Sequence, residues 1–326
     1  MPLHVDGDPM ATAAAVRQTS DPDRTFPVRR ISFEDTIDRL TADFAADGDV
    51  LMCHLIAALS GLFPDGEELF IESVRHYRDE ITDPDLKRQV NAFIGQEVSH
   101  GREHRRLNER LGELGYRSKM VEETMHRDEV ITPGMRRILK VVTRFGPLRD
   151  IGQRLEEESS EPEPIFLLAL TAALEHYTAT MAETILTERG LQDRFRDEAF
   201  FRMWAWHAIE ECEHKAVAFD VYRAVGGDEE TRRKAMRMAT LALAFIAGYH
   251  TVVGALKDQR SYRNANLLRS IWRNRDNPLF GKRLRQRLAD YYESDFHPLQ
   301  HDTTMIEAAW RAWLDDDAPK PANATV

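Results

Sequence analysis

Two stretches of this chain place acids and imidazoles where a helix should be apolar. In "FIGQEVSHGREH" (Phe93–His104), Glu97, His100 and His104 continue the line Leu86, Val90, Phe93 and rejoin it at Leu107. In "WHAIEECEHKAVAFD" (Trp206–Asp220), His207, Glu211 and His214 follow one another at steps of four and three, between Trp204 on one side and Ala218 and Val221 on the other. Each residue of an α-helix turns by about 100°, so steps of three, four and seven return to one face. Both sets therefore point into a core. A glutamate is rarely buried unless it is paired or holds a metal, and two buried Glu-x-x-His motifs narrow the choice of fold. A four-helix bundle holding two metal ions uses such a pair, with one further glutamate from each of the other two helices.

The chain supplies both glutamates. Glu67, in "FPDGEELFIESVRHYRDEI", sits three before Phe70 and seven before Val74, on the inner line, whereas Glu68 and Glu72 fall off it. Glu175, in "ALTAALEHYTATMAE", lies seven after Leu168, three after Ala172, and four and seven before Ala179 and Ala182. Four carboxylates with imidazoles neutralise two divalent cations, and mixed O and N donors suit iron or manganese; two Fe ions are expected, with Mn or a mixed Fe/Mn pair as alternatives. Without metal these carboxylates would stay protonated or repel one another, the alternative being a satisfied polar network. Antiparallel second and fourth helices bring His104 and His207 to one end of the site. His207 is expected as a ligand, and His104 as an extra ligand or a support for one. Asp220, six after His214, is a candidate acceptor for a ligand histidine, and Tyr177 is a candidate radical or proton donor set against simple packing. Cys212 and His176 face away from their neighbouring glutamates. His297 and His301 in "FHPLQHD" are read as loop residues that line an entrance or cap a turn.

Helical periodicity runs through nearly the whole chain, and no stretch alternates long enough for a sheet. Residues 1–33 are read as a disordered arm, 34–315 as a single helical di-metal domain, and 316–326 as a flexible tail. Ligand-bearing helices are expected at about 66–82, 84–115, 165–189 and 193–225, with extra helices over 229–315. Pro64 and Asp65 are read as a stop and cap before the first. A further helix is expected around Met135 to Phe145, followed by a linker at "EEESSEPEP". The stretch Met238–Leu256 has no charge but carries two glycines, two threonines and His250, so burial behind the bundle is favoured over a transmembrane span. From Arg260 to Arg287 nine Lys or Arg stand against one acid, Asp276, which fits a solvated face or a docking surface for an acidic carrier protein or an anionic substrate. A net charge of −11 argues against nucleic acid. Two cysteines in no CxxC pattern and no apolar leader point to a cytoplasmic protein.

Together "FPDGEELFIESVRHYRDEI", "FIGQEVSHGREH", "ALEHYTA", "WHAIEECEHKAVAFDVY" and "FHPLQHDTT" resemble the bacterial family of predicted metal-dependent hydrolases over most of residues 55–305. The order of ligands is also similar to ferritin-like di-iron carboxylate proteins, above all arylamine N-oxygenases, in which an extra histidine precedes the last glutamate by four, as His207 precedes Glu211. The resemblance implies an all-α, ferritin-like four-helix bundle with additional C-terminal helices, a di-iron site of Glu67, Glu97, His100, Glu175, His207, Glu211 and His214, and a homodimer. His104 has no counterpart in the N-oxygenase pattern.

Three functions follow from such a site. The first is an O₂-dependent oxygenase or oxidase acting on a C–H or N–H bond of a small molecule, fed by an external electron donor because no GxGxxG fingerprint is present. The second is two-metal hydrolysis of an ester, amide or phosphoester, and the third is metal storage or peroxide scavenging. Glutamates and histidines borne on helices favour oxygen chemistry, and the extra residues after Val225 favour a substrate pocket over a storage shell.

Overall fold

The computed structural model describes residues 25–118, 163–315 and 319–321. The regular structure among them is helical, with one isolated bridge between Ala45 and Phe195. Short α1 (Glu34–Asp38) precedes α2 (Val50–His76), whose N-terminus is capped by the Asp49 carboxylate, which accepts from Met52 N–H. Next comes α3 (Pro84–Glu113), started by Pro84 at its first position and by an Asp83 side chain that accepts from Asp85 and Leu86 N–H. On the far side of residues 119–162 lie α4 (Pro164–Thr187), the single turn α5 (Arg189–Gln192), α6 (Glu198–His214) and α7 (Val217–Ala224), then α8 (Glu229–Lys257), α9 (Asn266–Asn274), α10 (Lys282–Asp290) and α11 (Thr304–Asp315).

The core divides into two apolar clusters. One gathers Ile56 of α2, Leu107 of α3, Leu186 of α4 and Phe200 of α6; the other gathers Phe70 of α2, Phe93 of α3, Leu168 of α4 and Val221 of α7. The first cluster takes the start of α2 and α6 with the end of α3 and α4, and the second the end of α2 and α7 with the start of α3 and α4, so α2 and α6 run one way and α3 and α4 the other. Between the clusters a layer of polar residues crosses the bundle, in the interior of α2, α3 and α4 and in the last two turns of α6.

Four local expectations are corrected. Pro64 does not stop a helix: α2 runs through it from Val50. A proline at 64 cannot donate to the Ser60 carbonyl one turn back, but that carbonyl accepts Asn108 Nδ2–H at 3.0 Å instead. The fourth ligand-bearing helix is two: Asp197 caps α6, and the helix breaks after His214, where Lys215 turns to Thr303 Oγ1 (2.6 Å) and the His301 carbonyl. Within the arm expected to be disordered to residue 33, the described residues 25–33 pack on the bundle, with Phe26, Arg29 and Phe33 buried. Helix α8 is not enclosed. It packs on α2 and α4 with one face, yet only 22% of its most apolar stretch is buried, against 56% for α4; both are long and apolar enough to cross a membrane. The helix expected near Met135 to Phe145 and the acidic linker lie outside the described residues, as does most of the arm and the tail.

Candidate metal centre

The polar layer brings Glu67, Glu97, His100, Glu175, His207, Glu211 and His214 together, each at most 3% exposed. His214 Nε2 lies 3.1 Å from Glu97 Oε1, 3.3 Å from Glu175 Oε2 and 3.5 Å from Glu211 Oε2. His100 Nδ1 lies 3.7 Å from Glu211 Oε1 and 3.8 Å from Glu97 Oε2. His207 Nε2 is 2.8 Å from Glu211 Oε1 and 3.9 Å from Glu67 Oε1. Gly101 makes room: a Cβ there would stand 3.0 Å from Glu67 Oε2, which accounts for a glycine inside a helix.

The hydrogen bonds outside this cluster fix the imidazole tautomers. Gln96 Nε2 donates to Glu213 Oε2 (2.8 Å) and to the Pro27 carbonyl (2.9 Å), so its Oε1 can only accept from His214 Nδ1–H at 2.9 Å. His100 Nε2–H faces the Glu210 carboxylate at 3.0 Å. Both rings thus turn a lone pair inward, and His214 Nε2, His100 Nδ1, Glu211 Oε2 and both oxygens of Glu67, Glu97 and Glu175 find no hydrogen-bond partner. Buried acceptors are seldom left unsatisfied, and so many converging on one point fit cations. Among the described residues, Glu97, Glu211 and His214 can hold one ion and Glu67, Glu97 and His100 another, with His207 and Glu211 facing the second as well. Glu97 and Glu211 each belong to two of these donor groups, and Glu175 would add a carboxylate on the His214 side.

His207 is set by a longer chain that begins at Pro64. Because Asn108 Nδ2 donates to the Ser60 carbonyl, Asn108 Oδ1 must be the atom that accepts the Ser60 hydroxyl proton, at 2.7 Å. Ser60 Oγ then accepts from His104 Nδ1–H (3.0 Å), and His104 Nε2 accepts from His207 Nδ1–H (2.8 Å). His207 Nε2 is left as a third inward lone pair. His104, left open between ligand and support, therefore spends both nitrogens on Ser60 and His207. Ser60→Ala should weaken metal affinity by about 10–100-fold, the usual effect of losing such an outer partner, with the helix content unchanged. Metal titration followed by dialysis checks this, and unaltered affinity would contradict the chain of donors.

Without cations the buried carboxyls of this cluster hold protons. Burial, then the charge of Glu97, hold Glu67 well above the usual carboxylate range; burial raises Glu97 and pushes Glu175 up to about 8. Burial works against protonating His214, but Glu175, Glu211 and Glu97 outweigh it and raise the imidazole, while the charge of His214 holds Glu211 low against its own burial. Burial and His100 lower His207 to about 4. Metal uptake must therefore expel protons from the carboxyls. Since Glu175 is protonated below about 8, affinity should fall as pH drops through that value, with proton release on binding. Calorimetry in buffers of different ionisation enthalpy measures that release, and pH-independent uptake would count against it.

A comparison of sequences places the chain. A family model described as "predicted metal-dependent hydrolase" matches residues 27–302. The chain belongs to that family. No curated protein and no solved structure matches it.

For this member of the metal-dependent hydrolase family, sequence reasoning missed the layer behind the ligands. Arg29 Nη1 and Nη2 grip Glu213 at 2.9 and 2.8 Å, and Nη1 also reaches Glu210 Oε1 at 3.1 Å. Arg311 Nε adds a bond to Glu213 at 2.6 Å. Asp220 takes His297 Nε2 at 2.8 Å and ties the late loop to α7. Tyr177 donates to Thr240 Oγ1 of α8 at 2.6 Å, so its hydroxyl serves packing. His301 bonds Asp290 (3.0 Å), His176 bonds the Arg287 carbonyl (2.9 Å), and Cys212 sits in the apolar core.

Two openings reach the centre. An apolar one, partly open to solvent, ends at His207 and Glu211; its walls include Ile56, Phe63, Met181, Ile185, Trp204 and Leu279, with Thr178 and the Trp204 indole N–H as further polar groups among the described residues. A polar one, between α2 and α3, ends at Glu67 and Glu97 and is lined by Glu68, Glu72, Arg75 and Arg105.

Proposed function

We propose that this protein is a dinuclear metal enzyme that oxidises an apolar small molecule with O₂. The observation that carries this is the convergence of unsatisfied carboxylate and imidazole atoms on a point at the end of an apolar pocket. When bound, two cations there would supply one-electron chemistry toward dioxygen if they are iron, or Lewis acidity toward water and an acyl group if they are redox-inert. The pocket favours the first. Beyond Thr178, His207, Glu211 and the unpartnered Trp204 indole N–H, it offers no acid for a leaving group and no Lys or Arg for a phosphate among the described residues. Phe63 packs on His207 with ring centroids 4.7 Å apart, and Trp204 stands over His104 at 5.4 Å; both help to exclude water from this side. Electrons would come from a separate donor.

Hydrolysis is the second reading, supported by the family's description and by the polar opening, through which water can reach Glu67 and Glu97. One experiment separates the two. Protein loaded anaerobically with Fe(II) should hold about two irons per chain, the number of cations that four carboxylates neutralise, consume O₂ when exposed to it and develop a visible absorption band. Turnover of p-nitrophenyl esters by zinc- or manganese-loaded protein, independent of O₂, would establish the hydrolase instead.

A further inference from the structure

Helix α9 is attached to the protein by its polar edge. Ser270 Oγ accepts from Val50 N–H (3.0 Å), and Asn274 Nδ2 donates to the Asp49 carboxylate (2.9 and 3.1 Å), so positions 270 and 274 face the start of α2. The opposite edge, Leu268, Ile271 and Trp272 at steps of three and four, faces out, each more than half exposed. An amphipathic helix on a globular protein normally does the reverse. The inversion continues beyond α9. Of the eleven large hydrophobic residues that stand exposed among those described, eight lie between Leu241 and Phe280, including Val252 and Leu256 on the open face of α8 and Tyr262 between the two helices.

Cations are interleaved with these side chains. Lys257, Arg263 and Arg269 are exposed and make no ion pair among the described residues, and Arg275 lies over the Trp272 ring at 3.7 Å. The acids of the same stretch, Asp258 and Asp276, are engaged by Arg260 and Arg275. A chain of net charge −11 thus carries a locally cationic face studded with protruding apolar and aromatic side chains.

We propose that this face, formed by the C-terminal half of α8, Tyr262, α9 and Phe280, docks in the plane of an anionic lipid bilayer. Apolar side chains enter the acyl boundary while Lys and Arg meet lipid phosphates. Charge complementarity selects this occupant: a second copy would bring cations against cations, and an acidic protein without apolar surface would leave Leu268, Ile271 and Trp272 uncovered. The face adjoins the apolar pocket, since Leu279 lines the pocket and its neighbour Phe280 is exposed.

Trp272 provides the test. The other four tryptophans are at most 6% exposed, so Trp272 dominates any change in emission on docking. The metal-loaded full chain should co-sediment with phosphatidylcholine vesicles containing phosphatidylglycerol, with Trp emission moving to shorter wavelength. Pure phosphatidylcholine should bind at least about tenfold more weakly, and so should the double variant Arg263→Gln, Arg269→Gln, each cation near an anionic surface contributing about fivefold. Trp272→Phe should keep most of the binding and lose the emission shift; equal melting midpoints guard against misfolding. No binding to the anionic vesicles overturns the proposal. So does an emission shift without lipid that follows protein concentration and dimerisation, which assigns the face to a second copy. Equal binding to polyglutamate, with no emission shift, overturns it in favour of an acidic partner.

Discussion

Glu175→Leu is expected to make the metal-free protein more stable and the metal-binding protein useless. Both Glu175 oxygens are buried without a hydrogen-bond partner, and the chain around them is Leu168, Ala172, Ala179 and Ala182. Leucine fills a similar volume and needs no partner. Replacing a buried ionic group by a well-packed hydrophobic one is often neutral or stabilising, by about 1–4 kcal/mol. The sign with pH follows from the raised pKa. In the unfolded chain this carboxyl ionises near 4.5, in the folded one near 8. Between those values the unfolded state has lost a proton that the folded state keeps, so metal-free stability declines as pH rises across that window and levels off above it. Leucine removes this contribution. Calorimetry in chelator should show a higher midpoint for the variant near neutral pH, and metal titration a loss larger than the roughly 10–100-fold typical of an outer partner. A lower midpoint in chelator, together with tight binding of two metals, would sink the assignment of Glu175.

Arg29→Ala should be the most destabilising substitution outside the ligands. It strips the bidentate partner from Glu213 and one partner from Glu210, both fully buried. Removing one member of a buried pair costs about 3–5 kcal/mol, because the remaining charge stays in the interior. Arg311 still reaches Glu213, which moderates the loss there, but Glu210 is left holding His100 alone. His100 Nε2–H is thereby oriented less firmly, so metal affinity should fall by about 10–100-fold as well. Urea unfolding of the metal-free variant measures the first effect and metal titration the second. A change under about 1 kcal/mol would show that the arm merely rests on the bundle. Arg29→Lys should recover part of the stability, since an ammonium can meet one carboxylate but cannot span two.

What the sequence disclosed and what it hid follow from distance along the chain. The inward stripes of α3 and α6 were readable because periodicity is local: Glu97 with His100 and Glu211 with His214 announce themselves within one turn. Glu67 and Glu175 followed once the inner line of each helix was drawn. The supporting layer was not readable, because each of its bonds joins residues far apart, Arg29 to Glu213 across 184 positions and His104 to His207 across 103. A weak signal did exist at Glu210 and Glu213. Helix α6 is buried from Met203 through His214, and a helix with no solvent face leaves every polar residue on it in need of a partner. Pro64 misled for a related reason: a proline breaks a helix unless another residue takes up the carbonyl it abandons, and that residue, Asn108, lies on a different helix.

That substitute bond makes position 64 more than a tolerated irregularity. Restoring a backbone N–H there, as in Pro64→Ala, would give the Ser60 carbonyl back to its own helix and leave the Asn108 amide free to rotate. With the amide inverted, the serine hydroxyl would lose its obligatory acceptor, and the two histidines behind it could adopt the opposite protonation order. A substitution that repairs α2 would thereby scramble a ligand lying on α6, and homologues that lack the proline should be found to lack the asparagine too.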